Sequence, residues 1–228
     1  MAEFWLGDSN GPMGDVGAFM ASELRVDRAD LAGHIGQLGP GRVLVAIVGA
    51  PGSGKSRLAR ELAEALNAKA PGMAAVLPMD GFHRDNDWLE AHRLRAVKGA
   101  PETFDVEALL ACLCAVKTAS EDLPVPSFDR AADEVVPGGA TIPAGARVVL
   151  VEGNYLLLTR APWRDLFPLF DLSIRIAVPE ATLRARLMNR WASLPEAEAR
   201  RRTEENDLPN GRLLAQENRA ADLVIAAP

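Results

Sequence analysis

One eight-residue segment has the residue types and spacing of a phosphate-binding loop. Residues 49 to 56 read Gly-Ala-Pro-Gly-Ser-Gly-Lys-Ser, which fits the pattern G-x-x-x-x-G-K-[ST]. Glycine lacks a Cβ atom, so the backbone at these glycines can turn closely around an anion. The lysine would reach phosphate oxygens, and the hydroxyl that follows it would ligate Mg²⁺. The segment therefore predicts a nucleotide site made of Gly49, Ala50, Pro51, Gly52, Ser53, Gly54, Lys55, Ser56 and the adjoining Arg57.

Two carboxylates follow apolar runs elsewhere in the chain. Glu152 ends the run 148–152, and Asp80 comes directly after the run 74–79. A carboxylate at a strand end is the usual partner of Mg²⁺ in enzymes with such a loop, so Ser56 and Glu152 are the predicted metal ligands. Phosphoryl transfer to a hydroxyl needs a group that accepts the proton, and Asp80 is the predicted base. A solvated strand end and an Asp-Gly turn are the plainer interpretations of these two acids.

Arginines after residue 179 could supply positive charge to a migrating phosphoryl group. Arg186 and Arg190 are four residues apart and share one face of a predicted helix, whereas Arg184 falls on another face. Such arginines stabilise the transition state, so Arg186 and Arg190 join Lys55 and Asp80 as predicted catalytic residues. The alternative is that they are solvated or paired with glutamates. A solvent face is the simpler interpretation of the run 200–202.

The elements that position these residues alternate between strand and helix. Apolar runs predict five strands, at 42–48, 74–79, 148–152, 172–178 and 223–226. Helical spacing of apolar residues predicts helices after the loop, over 105–117 and over 24–38. The proline- and glycine-rich segment 123–146 predicts an irregular or hairpin excursion. The pattern indicates an α/β fold, a doubly wound parallel five-stranded sheet flanked by helices, with ligands at the carboxyl ends of its strands.

Composition limits the class of protein. The 228 residues have a net charge of −6, 48% hydrophobic residues and 25% charged residues, which favours a single globular domain and argues against a nucleic-acid-coating protein. We expect an N-terminal extension at 1–22, one domain at 23–228 and a lid at about 179–205. No signal peptide or membrane span is expected, and two cysteines in an apolar helical pattern fit a cytoplasmic protein. Whether the chain forms a homodimer is left open.

Five motifs occur in an order that resembles a known superfamily. After the loop come Met-Asp-Gly-Phe-His at 79–83, Pro-Glu-Thr-Phe-Asp at 101–105, Pro-Ser-Phe-Asp-Arg at 126–130 and Val-Glu-Gly-Asn-Tyr at 151–155. Over residues 40–226 this set resembles the phosphoribulokinase, uridine kinase and bacterial-type pantothenate kinase superfamily. Within it, the chain looks most like bacterial proteins of the nucleoside/nucleotide kinase family, of the fructose-transport kinase type.

The resemblance implies a P-loop NTPase fold with a small lid and an ATP- and Mg²⁺-dependent kinase that acts on a small-molecule hydroxyl. Asp80 matches the catalytic base of uridine and pantothenate kinases, and Glu152 matches the acid near Mg²⁺. Asp105 matches an aspartate that helps to hold the acceptor in uridine kinases. The predicted acceptor-binding residues are therefore His83, Asp105, Phe128 and Arg130.

The class of acceptor stays open at this point. The chain lacks the Tyr-Asp segment and the later His-x-Arg pattern of uridine kinases, and its last histidine is His92. A sugar, a nucleoside or a pantothenate-like compound would each be compatible. A nucleotide-dependent switch or accessory NTPase of a transport system is an alternative, although none of the four lysines stands in a guanine-reading N-K-x-D motif. A nucleotide kinase ranks lower, because Asp80 and Asp105 would repel an acceptor phosphate.

Overall fold

The computed structural model describes residues 23–226, which form a central parallel sheet with helices on both faces. The sheet has the strand order β1-β8-β7-β2-β6-β3, and a separate antiparallel hairpin is formed by β4 and β5. The α/β doubly wound prediction is therefore confirmed. The strands are β1 (Leu24–Arg25), β2 (Val43–Val48), β3 (Ala74–Pro78), β4 (Leu123–Asp129), β5 (Glu134–Ile142), β6 (Val148–Gly153), β7 (Leu172–Ala177) and β8 (Leu223–Ala226).

Seven α-helices connect and cover the strands in the described part of the chain. They are α1 (Leu31–Gly36), α2 (Lys55–Lys69), α3 (Asn86–Ala91), α4 (Val106–Thr118), α5 (Glu180–Arg190), α6 (Glu196–Arg201) and α7 (Leu208–Glu217). A π-helical turn, Arg202–Asp207, joins α6 to α7, and a 3₁₀ turn, Met79–Phe82, follows β3. Between residues 23 and 226, no helix is both long and apolar enough to cross a membrane. The predicted extension at 1–22 lies outside the described residues.

Strand β2 shows how the sheet is held between two apolar layers. Its even residues, Leu44, Ala46 and Val48, pack into one core with α4. Its odd residues, Val43, Val45 and Ile47, pack into the other core with α1 and α2. Successive side chains of a strand point to opposite faces, so a run that is apolar at every position is covered on both sides. The loop that follows β2 is thus mounted at the edge of a rigid, buried strand.

The structure departs from the sequence prediction at the amino-terminal edge. Leu24–Arg25 is not helical but forms a sixth strand, β1, parallel to β8. The predicted helix over 24–38 is reduced to α1, preceded by a 3₁₀ turn at Arg28–Asp30. A two-residue strand is too short to produce a periodic pattern, and only its pairing with β8 reveals it.

The β4–β5 hairpin lies against the 3₁₀ turn that carries Asp80. A Cβ atom on Gly81 would stand 2.4 Å from the carbonyl oxygen of Pro126, so only glycine permits this approach. The hairpin confirms one of the two forms predicted for residues 123–146. Its contact with the turn brings Arg130, just after β4, to the carboxyl edge of the sheet.

Candidate active site

The phosphate-binding loop lies between β2 and α2 in a conformation that glycine makes possible. Gly52 and Gly54 have φ angles of 78° and 92°, in the left-handed region. Gly54 is also the N-cap of α2, and no side chain caps that helix. The amides of its first turn are therefore available to an anion, which the positive end of the helix dipole attracts. Ser53 Oγ, which is buried, has no hydrogen-bond partner within the described residues.

Lys55, Ser56 and Glu152 meet at the end of strand β6. The Ser56 hydroxyl donates to Glu152 Oε1 at 2.9 Å, and Glu152 is 4% exposed. Burial raises the pKa of Glu152, an effect that the nearby Lys55 charge opposes. Burial also lowers the pKa of Lys55, while Glu152 and Asp80 favour its charged form. A hydroxyl and a carboxylate side by side fit Mg²⁺, which takes its other ligands from phosphates and water. No group of three or more metal-ligating side chains occurs in residues 23–226.

Asp80 stands beside this group, in the 3₁₀ turn after β3. Arg130 donates to Asp80 Oδ2 at 2.6 Å, which fixes the direction of the carboxylate. His83 Nδ1 lies 2.8 Å from the backbone oxygen of Asp80. The His83 ring packs between Phe104 and Phe128, with ring centroids 4.0 and 4.8 Å away. Burial lowers the pKa of His83, and the charge of Asp80 partly opposes this effect. The lowered pKa favours a neutral ring.

These side chains open into one cavity of about 480 Å³. The cavity lies between the loop, the hairpin, the segment 95–99 and the elements after α5. It brings together six of the predicted residues with chemical roles, namely Lys55, Asp80, His83, Phe128, Arg130 and Arg190. Its other lining residues are Pro51, Arg95, Ala96, Lys98, Gly99, Phe104, Asp133, Asn154, Trp191, Arg201, Arg202, Asn206 and Asp207.

Helix α5 presents its arginines to different surroundings, as the helical spacing predicted. Arg190 lines the cavity, and burial, together with the neighbouring Arg130 charge, lowers its pKa. Arg186 Nη1 lies 3.5 Å from the backbone oxygen of Ser53 in the loop. Arg184 is directed elsewhere and pairs with Glu204 at 2.7 Å.

Two predicted site residues have other partners in the structure. Asp105 caps α4 by accepting from the backbone of Ala108 and pairs with Arg84 at 2.7 Å, outside the cavity. Arg57 is 73% exposed and pairs with Glu61, one helical turn along α2. Arg57 and Asp105 therefore have local structural roles in this arrangement.

The structure adds lining residues that the sequence prediction missed. Lys98, whose side chain is 10% exposed, bonds to Asp133 and lies 5.0 Å from the Phe128 ring. Trp191 donates to Asp207 Oδ2 at 2.9 Å, and burial raises the pKa of Asp207. These residues lie in short turns without periodic apolar spacing. In the sequence, the only sign of these lining residues was the polar segment Glu-Asn-Asp at 205–207. In the structure this segment belongs to a π-helical turn, a feature that is frequent at functional sites.

Comparison with known proteins identifies relatives among small-molecule kinases. A candidate uridine kinase of Schizosaccharomyces pombe is 34% identical over 194 residues, which cover 81% of this chain and 83% of that protein. A pantothenate kinase of Chelativorans sp. is 31% identical over 188 residues, covering 71% of this chain and 59% of the relative. The uncharacterized protein YggC of Escherichia coli is 38% identical over 188 residues, covering 81% of this chain and 77% of YggC. No family model matches the chain.

Two solved structures share the fold over most of this chain. A candidate fructose transport system kinase from Silicibacter sp. superposes with a TM-score of 0.81 at 44% identity, covering 89% of this chain and 100% of that one. YFH7 of Saccharomyces cerevisiae, at 22% identity, shares the fold, with a TM-score of 0.74 and coverage of 88% and 98%. These similarities extend over most of both chains and confirm the resemblance seen in the motifs. The chain belongs to the uridine kinase and pantothenate kinase family of P-loop kinases, which are phosphotransferases with hydroxyl acceptors.

Proposed function

We propose that the chain transfers the γ-phosphoryl group of ATP to a hydroxyl of a small polar molecule, with Mg²⁺ as the metal. The observation that carries the proposal is the position of Asp80. Asp80 lines the cavity together with Lys55 of the loop, whose charged form it favours, and it lies close to His83, three residues along the same segment. It therefore lies at the phosphate end of the cavity. A carboxylate there can take the proton from a hydroxyl that attacks a bound phosphate.

Each residue in the proposed reaction has a distinct task. The loop amides and Lys55 would bind the triphosphate, and Ser56 and Glu152 would hold Mg²⁺, whose charge offsets that of the phosphates. Asp80, oriented by Arg130, would accept the proton of the acceptor hydroxyl. The hydroxyl oxygen then bonds to the γ-phosphorus as the bond to the β-phosphate oxygen breaks, and ADP leaves. Arg190 and Arg186 would stabilise the charge on the transferred group.

We infer that residues 179–205 act as the lid of a single kinase domain that extends over 23–228. Helix α5 places Arg190 at the cavity and Arg186 at the loop, and α6 carries Arg201 to the same cavity. A segment that contacts both ends of the site can exclude water when it closes over the substrates. Phe128 and His83 would contact the acceptor from the hairpin side.

Replacing Asp80 tests the proposal. Asp80→Asn should keep ATP binding, measured by calorimetry, and lower acceptor-dependent turnover by about 10²–10⁴-fold, because the proton acceptor is lost. The acceptor is found by measuring ADP release with a panel of sugars, sugar acids, sugar phosphates, nucleosides, nucleotides and pantothenate. ATP turnover that no acceptor stimulates would favour a nucleotide-dependent switch instead. Near-normal turnover in Asp80→Asn would remove Asp80 from the mechanism.

A further inference from the structure

The cavity holds more positive charge than negative charge. Among the residues of 23–226 that line it, seven are cationic and three are carboxylates. The cations are Lys55, Arg95, Lys98, Arg130, Arg190, Arg201 and Arg202, and the carboxylates are Asp80, Asp133 and Asp207. Glu152 and Arg186, which flank the loop, cancel each other, whereas Glu198 bonds to both Arg201 and Arg202 and offsets one of the cations. The cavity therefore has a surplus of about three positive charges, although the whole chain is acidic.

The phosphate donor accounts for only part of this surplus. A triphosphate with bound Mg²⁺ carries about two negative charges. About one positive charge then remains in the cavity for another ligand. Uncompensated cations in a confined space repel one another, so a surplus of this size favours an anion.

Four of the cavity's cations come from two segments, 95–98 and 201–202. Arg95 and Lys98 share one carboxylate, that of Asp133, at 2.6 and 2.9 Å. We call Arg95, Lys98, Arg201 and Arg202 the cationic rim. The last two of these also share one carboxylate, that of Glu198, at 2.9 and 2.7 Å. Four cations are thus matched by two directly bonded carboxylates.

The two halves of the cationic rim belong to one wall. Asn206, in the π-helical turn after Arg201, donates from Nδ2 to the backbone oxygen of Lys98 at 3.0 Å. This bond joins the arginine-bearing turn to the segment 95–99. Glu205 also acts on Arg201, and both residues line a second surface patch together with Arg200.

Carboxylates near the acceptor end are neutralised locally. Asp80 pairs with Arg130, and Asp105 pairs with Arg84 outside the cavity. The repulsion that these two acids would exert on an anionic acceptor is therefore reduced. Arginine guanidinium groups are suited to carboxylate and phosphate oxygens, which they can bind through two parallel hydrogen bonds.

We propose that the acceptor carries an anionic group, either phosphate or carboxylate, in addition to the hydroxyl that is phosphorylated. The cationic rim binds the anionic group, while the hydroxyl faces Asp80. This proposal rests on the kinase function proposed above, and it narrows the acceptor to hydroxyl compounds that carry a phosphate or a carboxylate.

Matched pairs of compounds test the proposal. Binding of D-ribose and D-ribose 5-phosphate, and of D-glucose and D-gluconate, is measured by calorimetry with a non-hydrolysable ATP analogue and Mg²⁺ present. We expect the anionic member of at least one pair to bind ten or more times as tightly as its neutral partner. The pair that responds identifies phosphate or carboxylate as the group bound. If neither anionic compound binds more tightly than its neutral partner, the proposal is wrong.

Variants test whether the preference for the anionic compound depends on the cationic rim. Arg95→Gln and Arg201→Gln should each reduce the anionic preference several-fold, because both side chains line the cavity. Arg200→Gln is the matched control, since Arg200 pairs with Glu196 away from the cavity and should leave the preference unchanged. An equal effect of all three variants would overturn the assignment. Asp80-dependent turnover of a neutral acceptor alone would uphold the kinase and overturn the anionic acceptor. Preferential binding of an anionic compound without turnover of any acceptor would overturn the kinase and leave the cationic rim as an anion-binding site only.

Discussion

At the scale of single residues, two arginines of α5 are expected to have different roles, one in catalysis and the other in surface ion pairs. Arg190 lines the cavity, while Arg184 pairs with Glu204 and Glu180 on another face. We predict that Arg190→Met lowers kcat by about 10²–10³-fold, because a charge directed at the transferred group is lost. Arg184→Met should stay within about threefold of the wild type, since it breaks only exposed pairs. Steady-state kinetics with the acceptor identified by the panel measures both, and equal losses would contradict the assignment.

Cys112 gives a prediction with a definite pH dependence. Burial raises the pKa of the Cys112 thiol to about 11, because the thiolate is poorly solvated there. Only the thiolate reacts with iodoacetamide, so at pH 8 about one molecule in 10³ is reactive. We predict that the alkylation rate of Cys112, measured in Cys114→Ser, rises about tenfold per pH unit from 7 to 9.5. A plateau below pH 9 would contradict the raised pKa.

Residue types and spacing predicted the phosphate end of the site better than the acceptor end. Lys55, Ser56 and Glu152 meet because the loop and β6 both end at the same edge of a parallel sheet, which is readable from apolar runs. Asp105 was placed by resemblance alone, and its pairing with Arg84 depends on a contact between turns that no periodicity encodes. Lys98 contacts Asp133, 35 positions away, only because the chain between them folds back on itself, and no sequence pattern reveals this contact.

At the scale of elements, the hairpin packs against the turn that carries Asp80, and this contact is possible because Gly81 has no side chain. A Cβ atom there would lie 2.4 and 2.8 Å from the carbonyl oxygen and carbon of Pro126, which are backbone atoms and cannot rotate away. We predict that Gly81→Ala lowers the free energy of unfolding by about 1–3 kcal/mol, because the hairpin must shift. The shift would also move Arg130 from Asp80 and reduce kcat. Urea unfolding and steady-state kinetics measure the two effects.

Gly33→Ala is the control for that substitution. Gly33 is in α1, and a Cβ atom there would have nothing within 4 Å. The control should be neutral or stabilising by up to about 1 kcal/mol, since alanine favours a helix. If Gly81→Ala is as stable and active as Gly33→Ala, the hairpin does not position Asp80.

Element boundaries were predictable where apolar runs are long. The four longer predicted strands match the observed ones to within one residue at each end, and α4 begins right after its capping residue, Asp105. The short elements were not predictable in the same way. Strand β1 exists only as a partner of β8, and the π-helical turn before α7 has an extra residue that composition does not reveal. Sequence patterns do not predict elements that are stabilised by tertiary pairing and have no apolar periodicity of their own.

At the scale of the whole molecule, binding at the loop should stabilise the fold. The loop links β2 to α2, and its lysine faces both Glu152 and Asp80, so an anion bound there acts on three separate segments. Ligand at about 100 times its dissociation constant adds about 2.7 kcal/mol to the free energy of unfolding. For a chain of this size we therefore predict that saturating MgATP raises the Tm by about 5–10 °C.

Lys55→Met should remove this stabilisation while the fold remains intact. Lys69→Met is the matched control, because Lys69 lies exposed at the opposite end of the same helix α2, 14 residues from Lys55. Thermal unfolding followed by circular dichroism, with and without MgATP, measures both shifts. A Lys55→Met protein that keeps the full shift would place the nucleotide elsewhere, since Lys55 is the cation that the loop itself brings to the phosphates. Loss of the shift in both variants would mean that the effect comes from the charge of α2 as a whole and not from contact with the loop.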